Sequence, residues 1–106
     1  MQTNRMENNK ECGKKYLIFI PVFNEAESIK DIINKVRETC PNSDILIIDD
    51  GSTDKTPQLL ENENDLHIIK HSENEGYGKT LIDGFNFSIA RGYEYVITID
   101  SDKQHQ

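Results

Sequence analysis

From residue 16 onward, short unbroken apolar runs alternate with stretches whose apolar residues recur at helical spacing. The runs Tyr16 to Ile20, Ile45 to Ile48, Leu66 to Ile69 and Tyr95 to Ile99 are rich in β-branched residues. Continuous apolar runs of this length suit strands buried on both faces. Pro21 is expected to end the first of them, because proline cannot donate to a strand ladder. In the first intervening segment Ile29, Ile32, Ile33 and Val36 fall at i, i+3, i+4 and i+7, which predicts a helix facing the sheet. Asn24 is read as its cap and Glu27 as the capping-box partner, with the helix stopping near Thr39, ahead of Pro41. Thr53 or Asp54 would cap a short second helix with Pro57 in its first turn and Leu59 and Leu60 facing inward. A third helix follows the loop Ser72 to Tyr77, places Leu81, Ile82, Phe85 and Ile89 on one side as core, and ends at Gly92. Strands alternating with helices predict an α/β fold, a Rossmann-like and mostly parallel sheet with flanking helices.

Charge and composition narrow the function. The 106 residues include 19 acidic and 12 basic side chains, a formal charge of −7. That balance argues against a nucleic-acid partner bound by phosphate neutralisation. Two cysteines, Cys12 and Cys40, indicate neither a disulfide framework nor a zinc site, and are read as reduced thiols. The longest apolar stretch, Tyr16 to Phe23, is far short of the roughly 20 residues of a membrane span. Residues 1–15 are polar, without the apolar segment of a signal peptide, and are read as a disordered leader to a cytoplasmic protein.

The chemistry gathers where the strands end. In an open parallel sheet, ligands bind outside the carboxyl ends of the strands. Three loops are expected to meet there: 22–25, 49–54 and 100–104. Asp49, Asp50, Asp100 and Asp102 would bring four carboxylates to one rim, which points to a hard divalent cation or another cationic partner. Mg²⁺ or Mn²⁺ beside a nucleotide diphosphate fits that donor set. Each motif alone has a plainer reading as turn composition or solvated acid; their separate arrival at strand ends favours the functional one. Gly76 to Thr80 resembles the end of a phosphate loop, but position 73, where the first glycine belongs, is Glu73. A receiver-type signalling domain would carry its acidic pair after the first strand, whereas that strand runs into Pro21, Val22, Phe23 and Asn24.

Four segments in this order and spacing resemble the N-terminal half of a family 2 glycosyltransferase of the inverting GT-A type. They are Ile20-Pro-Val-Phe-Asn-Glu25, Ile47-Ile-Asp-Asp-Gly-Ser-Thr-Asp54, Asn74-Glu-Gly-Tyr-Gly-Lys79 with Gly84, and Ile99-Asp-Ser-Asp-Lys-Gln-His105. The last further resembles the branch that makes polyprenyl-phosphate sugars, the dolichol-phosphate mannose synthase type. The resemblance implies that residues 16–106 form the nucleotide-sugar-binding part of such a domain. Pro21, Val22 and Phe23 would line the base pocket with Glu25 facing the nucleotide. Asp50 would bond the base, Asp49 would support the loop, and Lys79 would meet the nucleotide or its phosphates. Asp100 and Asp102 would bind metal and ribose, with Gln104 a third metal ligand. The implied reaction transfers a sugar, with inversion, from a UDP- or GDP-sugar to an acceptor such as a polyprenyl phosphate at a membrane, which makes peripheral membrane association an expectation. Family members continue well past Asp-x-Asp, so the acceptor-activating residues are expected outside this chain and the fragment is expected to be weak or inactive alone. The alternative is a non-catalytic nucleotide-binding or interaction module. A partner chain, or self-association, would then cover the unfinished edge of the sheet.

Overall fold

The computed structural model describes residues 15–100. Seven elements follow in strict alternation: β1 (Tyr16–Val22), α1 (Ile29–Thr39), β2 (Asp44–Asp49), α2 (Thr56–Glu61), β3 (His67–Lys70), α3 (Tyr77–Arg91) and β4 (Tyr95–Thr98). The strands form one parallel sheet in the order β3-β2-β1-β4. This is the predicted α/β, Rossmann-like architecture. Its chain reversal lies beside β1, where the order turns from β1-β2-β3 to β1-β4, a switch point of the kind that opens a ligand crevice in such sheets.

Alternating side chains of β1 and β2 build two cores. Ile18, Ile20, Val22, Ile45 and Ile47 pack with Ile29, Ile33 and Val36 of α1 and Leu60 of α2 on one face. Leu17, Phe19, Leu46 and Ile48 form the other core, against Leu81 and Phe87 of α3. Both faces are covered, which is why these runs are apolar throughout rather than alternating.

Three local expectations are corrected. β1 does not stop at Pro21, which pairs in register with Ile48. The carbonyl of Phe19 accepts from Ile99 on the β4 side, and that of Val22 accepts from Asp50 on the β2 side. Pro21 therefore turns its missing N–H toward β4, just past the last β1–β4 pair at Phe19 and Thr98, and the ladder on that side ends there.

Helix α1 begins at Ile29 rather than after Asn24, with Ser28 in the cap position. The Glu25 carbonyl accepts from the N–H groups of Ser28 and Ile29, and the Ser28 hydroxyl donates to the Glu25 carboxylate at 3.1 Å. Asn24 is drawn instead to a distant loop.

The third correction concerns α3. Thr80, Gly84 and Ser88 are its buried residues, whereas Ile82, Phe85 and Ile89 are 56%, 45% and 75% exposed. A β-carbon on Gly84 would stand 2.6 Å from the Phe19 ring, so the small residues mark the line of closest approach to the sheet. Buried hydroxyls of Thr80 and Ser88 donate to the carbonyls of Tyr77 and Phe85 within the helix, which removes the cost of burying them. Phe85, half-exposed, makes an edge contact with Phe19, centroids 5.5 Å apart.

Candidate nucleotide site

A cleft of about 690 Å³ opens at the carboxyl ends of the strands. Pro21, Val22, Phe23, Asn24 and Glu25 line it from β1 and its loop, Asp50 from the end of β2, and Asp100 from beyond β4. Its far wall comes from the loop after β3 and the start of α3, through Asn74, Gly76, Tyr77 and Thr80. Six of the expected site residues, Pro21, Val22, Phe23, Glu25, Asp50 and Asp100, thus share one cleft. Asp102 and Gln104 lie outside the described residues. A second hollow, about 470 Å³, lies at the opposite end of the sheet and contains none of the expected residues.

The walls are held by side chains that the sequence presents as turn formers. Asn24, at φ +54°, accepts at its Oδ1 from the N–H groups of Thr53 (2.8 Å) and Asp54 (3.2 Å). In return the Asn24 N–H donates to Ser52 Oγ, that of Glu25 to Thr56 Oγ1, and that of Ala26 to Asp54 Oδ2. The loops after β1 and β2 are therefore stitched together, satisfying backbone groups that would otherwise need water. Asp54 Oδ1 also accepts from Thr56 N at the start of α2. Burial alone would raise the Asp54 pKa, but these hydrogen bonds outweigh it and the net shift is downward.

Asp49 and Asp50 have opposite roles. Asp49 is buried inside the fold, and its Oδ1 accepts from Ser52 N at 3.0 Å. Its Oδ2 is buried without a hydrogen-bond donor among the described residues. Asp50 faces the cleft. Its Oδ1 accepts from Glu75 N at 2.7 Å and lies 2.8 Å from His71 Nδ1, while Oδ2 accepts from Gly76 N at 3.0 Å. Burial pushes its pKa up, yet His71 and the two backbone donors prevail and hold it below the ordinary value. An oxygen with two lone pairs and one donor keeps capacity at Oδ2 for one more.

Two glycines make this wall possible. Gly51 has φ +78°, and a β-carbon there would sit 2.3 Å from the Glu73 backbone, so the two loops touch through bare main chain. Gly76 has φ +97° and ψ 161°, a region nearly closed to other residues, and it turns its N–H onto Asp50 just before α3 begins.

Lys79 does not line the cleft. Its ammonium sits 3.2 Å from Asp83, one helical turn along α3. The loop after β3 was not among the three expected to converge, yet it supplies much of the far wall. His71 and Asp83 also went unread in the sequence; the only signal was the i, i+4 spacing of Lys79 and Asp83.

The expected carboxylate rim is looser than four facing acids. Asp49 is turned inward and Asp50 is already compensated by His71, so among the described residues no cluster of three metal-ligating side chains exists. Asp100 stands at the cleft as an oxygen donor of the type Mg²⁺ or Mn²⁺ takes one or two of. No helix among the described residues is long and apolar enough to cross a membrane.

Comparison with known proteins draws on the same residues. The model of the family described as glycosyl transferase family 2 matches residues 17–106. Polyprenol monophosphomannose synthase of Mycolicibacterium smegmatis is 32% identical over 97 residues, covering 87% of this chain and 37% of that protein. Undecaprenyl-phosphate mannosyltransferase of Micrococcus luteus is 31% identical over 96 residues, covering 87% and 40%. Undecaprenyl-phosphate 4-deoxy-4-formamido-L-arabinose transferase of Salmonella paratyphi B is 36% identical over 99 residues, covering 87% and 30%. This chain thus spans less than half the length of these relatives. Among solved structures, S. aureus TarS superposes with a TM-score of 0.63 at 25% identity, covering 83% of this chain and 27% of that one. The family model spans nearly all of the chain, and the chain belongs to glycosyl transferase family 2.

Proposed function

We propose that this chain carries the donor-binding half of a glycosyltransferase that moves a sugar from a UDP- or GDP-sugar to a polyprenyl phosphate, with inversion. The observation that carries the reading is the cleft itself, which gathers Pro21, Val22, Phe23, Glu25, Asp50 and Asp100 in a family 2 chain. The half-exposed Phe23 ring offers a flat apolar surface for a nucleobase. Asp50 Oδ2 offers its remaining acceptor to a ring N–H of uracil or guanine. The three relatives supply the acceptor class, since each is named for polyprenol or undecaprenyl phosphate sugars.

In the proposed transfer an acceptor phosphate oxygen forms a bond to the anomeric carbon as the bond to the nucleoside diphosphate oxygen breaks. An acceptor of this kind is already anionic and needs no base. Asp100, with Asp102 and Gln104, would hold Mg²⁺ or Mn²⁺, whose charge stabilises a departing diphosphate. The chain's own contribution is to grip and orient the nucleotide. The acceptor surface is assigned to a part of the enzyme beyond residues 15–100, and peripheral membrane association follows from the acceptor's lipid. The apolar side chains left exposed on α3 and β4 favour a second reading, an interaction module acting with a partner chain or a second copy.

Calorimetric titration with UDP and GDP, with and without Mn²⁺, tests the first reading. Metal-dependent binding that Asp102→Ala abolishes supports it and identifies the base. A folded chain that binds neither nucleotide overturns it in favour of the second.

A further inference from the structure

His71 is 7% exposed and sits directly after β3. Its N–H donates to the Asp49 carbonyl at 2.9 Å, which fixes the residue to β2. Its ring is clamped between carboxylates, with Nδ1 2.8 Å from Asp50 Oδ1 and Nε2 2.7 Å from Asp83 Oδ2. A neutral imidazole has one N–H and one lone pair, so in this position one nitrogen lone pair would face a carboxylate lone pair. Both acids are held ionised by other donors, Asp50 by the N–H groups of Glu75 and Gly76, Asp83 by Lys79. The ring that satisfies both contacts is the imidazolium, donating twice.

The hydrogen bond to Asp50 is the chief cause that raises the His71 pKa above its ordinary 6.5; burial opposes it, and Asp83 and Glu75 reinforce it. Asp83 is shifted down, first by its bond to His71, against burial, and then by Lys79. The charged groups around the ring are therefore Asp50 from the end of β2, Glu75 from the loop, and Asp83 with Lys79 from α3. Asp50, His71, Asp83 and Lys79 alternate in sign and tie the ends of β2 and β3 to the first two turns of α3. The start of α3 and Asp50 line the same cleft, joined directly by the Gly76 N–H and indirectly through the His71 bridge.

We infer that His71, bridging Asp50 and Asp83, is a positioning residue of the nucleotide cleft: it holds the Asp50 carboxylate and the Gly76–Thr80 wall in the spacing that receives the ligand. The inference rests on the nucleotide reading above. A group whose folded pKa is raised contributes fully below its ordinary value, and the contribution is lost as pH rises through the folded value. Losing the proton removes one of the two donated bonds, so the bridge is broken at Asp50 or at Asp83, leaving the Glu75 and Gly76 N–H groups to hold Asp50 to the start of α3. Nucleotide affinity is expected to fall as the ring deprotonates.

The experiment measures affinity for UDP and GDP with Mn²⁺ between about pH 6 and pH 9, around the titration range of histidine. Wild type, His71→Gln and Asp83→Asn are compared, with ¹⁵N spectra of the wild-type His71 ring. The ring should be doubly protonated at neutral pH, and wild-type affinity should decline on the alkaline side. His71→Gln should bind about tenfold more weakly at neutral pH, the weight of one charge-assisted hydrogen bond, and lose that decline. Asp83→Asn keeps the histidine and should move the decline to lower pH, a readout that stands even where His71→Gln fails to fold. A neutral ring at pH 7, or the same pH profile in wild type and the folded variants, overturns the inference alone. A folded wild type that binds no nucleotide at any pH overturns the nucleotide reading and this inference with it.

Discussion

The centre of the sheet and its β4 edge are equally apolar in sequence and differently buried. Leu17 to Ile20 and Leu46 to Ile48 are fully buried, whereas Tyr95, Ile97 and the α3 residues Ile82 and Ile89 are about half exposed or more. β1 has a strand on each side and helices over both faces; β4 pairs with β1 alone among the described residues. Burial is thus set by position in the sheet, and hydropathy states only which residues can tolerate it. The cleft lies on the seam between these regions. Pro21, Val22 and Asp50 extend from the well-packed strands, while Gly76, Tyr77 and Asp100 belong to the less covered side.

The comparison breaks most readily in the core. Phe19→Ala removes the ring that Gly84 packs against and should cost about 3–5 kcal/mol, read as a lower urea midpoint. A loss below about 1 kcal/mol would show the centre to be no better packed than the edge. Gly51→Ala sets a side chain at positive φ against the Glu73 backbone and should cost about 2–4 kcal/mol by the same measurement, combining strain and overpacking.

Asn24→Ala removes the acceptor shared by Thr53 and Asp54 and should cost about 1–2 kcal/mol, with weakened nucleotide binding because it unties the cleft's two loops. The seam should also respond to pH. Asp50, Asp54 and Asp83 have lowered pKa values, so their contribution is present above the ordinary 3.8 and lost as pH falls through their folded values. The His71 contribution is lost on the opposite, alkaline limb. Denaturation midpoints across pH should therefore fall on both sides, and Asp83→Asn should reduce both falls. Smallest is the edge: Ile89→Lys should change monomer stability by no more than about 0.5 kcal/mol and, on the interaction-module reading, lower any concentration-dependent association in sedimentation. A large loss of stability there would mean that Ile89 is buried in solution and the contrast is false.

Much of this was legible in the sequence because it depends on local pattern. Continuous apolar runs marked all four strands, the α1 spacing marked its inner face, and the loops after β1, β2 and β4 pointed to one end of a parallel sheet. The misread elements share a physical cause. Asn24 carries a good local capping signal, but its partners Thr53 and Asp54 lie about thirty residues away and outcompete the helix. The α3 stripe has helical period, yet periodicity does not state which side meets the sheet; the close approach of Gly84 to Phe19 decides that. Pro21 stays in its strand because its missing donor points past the last paired residue of β4.

The sequence by itself therefore determined the order and kind of elements, the parallel sheet, the family, and the end of the sheet where the acidic residues collect. The family resemblance already set Asp49, as a loop support, apart from Asp50; only the tertiary structure decided that Lys79 pairs with Asp83 and that His71 bridges two carboxylates. Secondary structure follows short-range spacing along the chain, whereas the charge state and direction of a buried side chain depend on partners brought from distant positions by the fold.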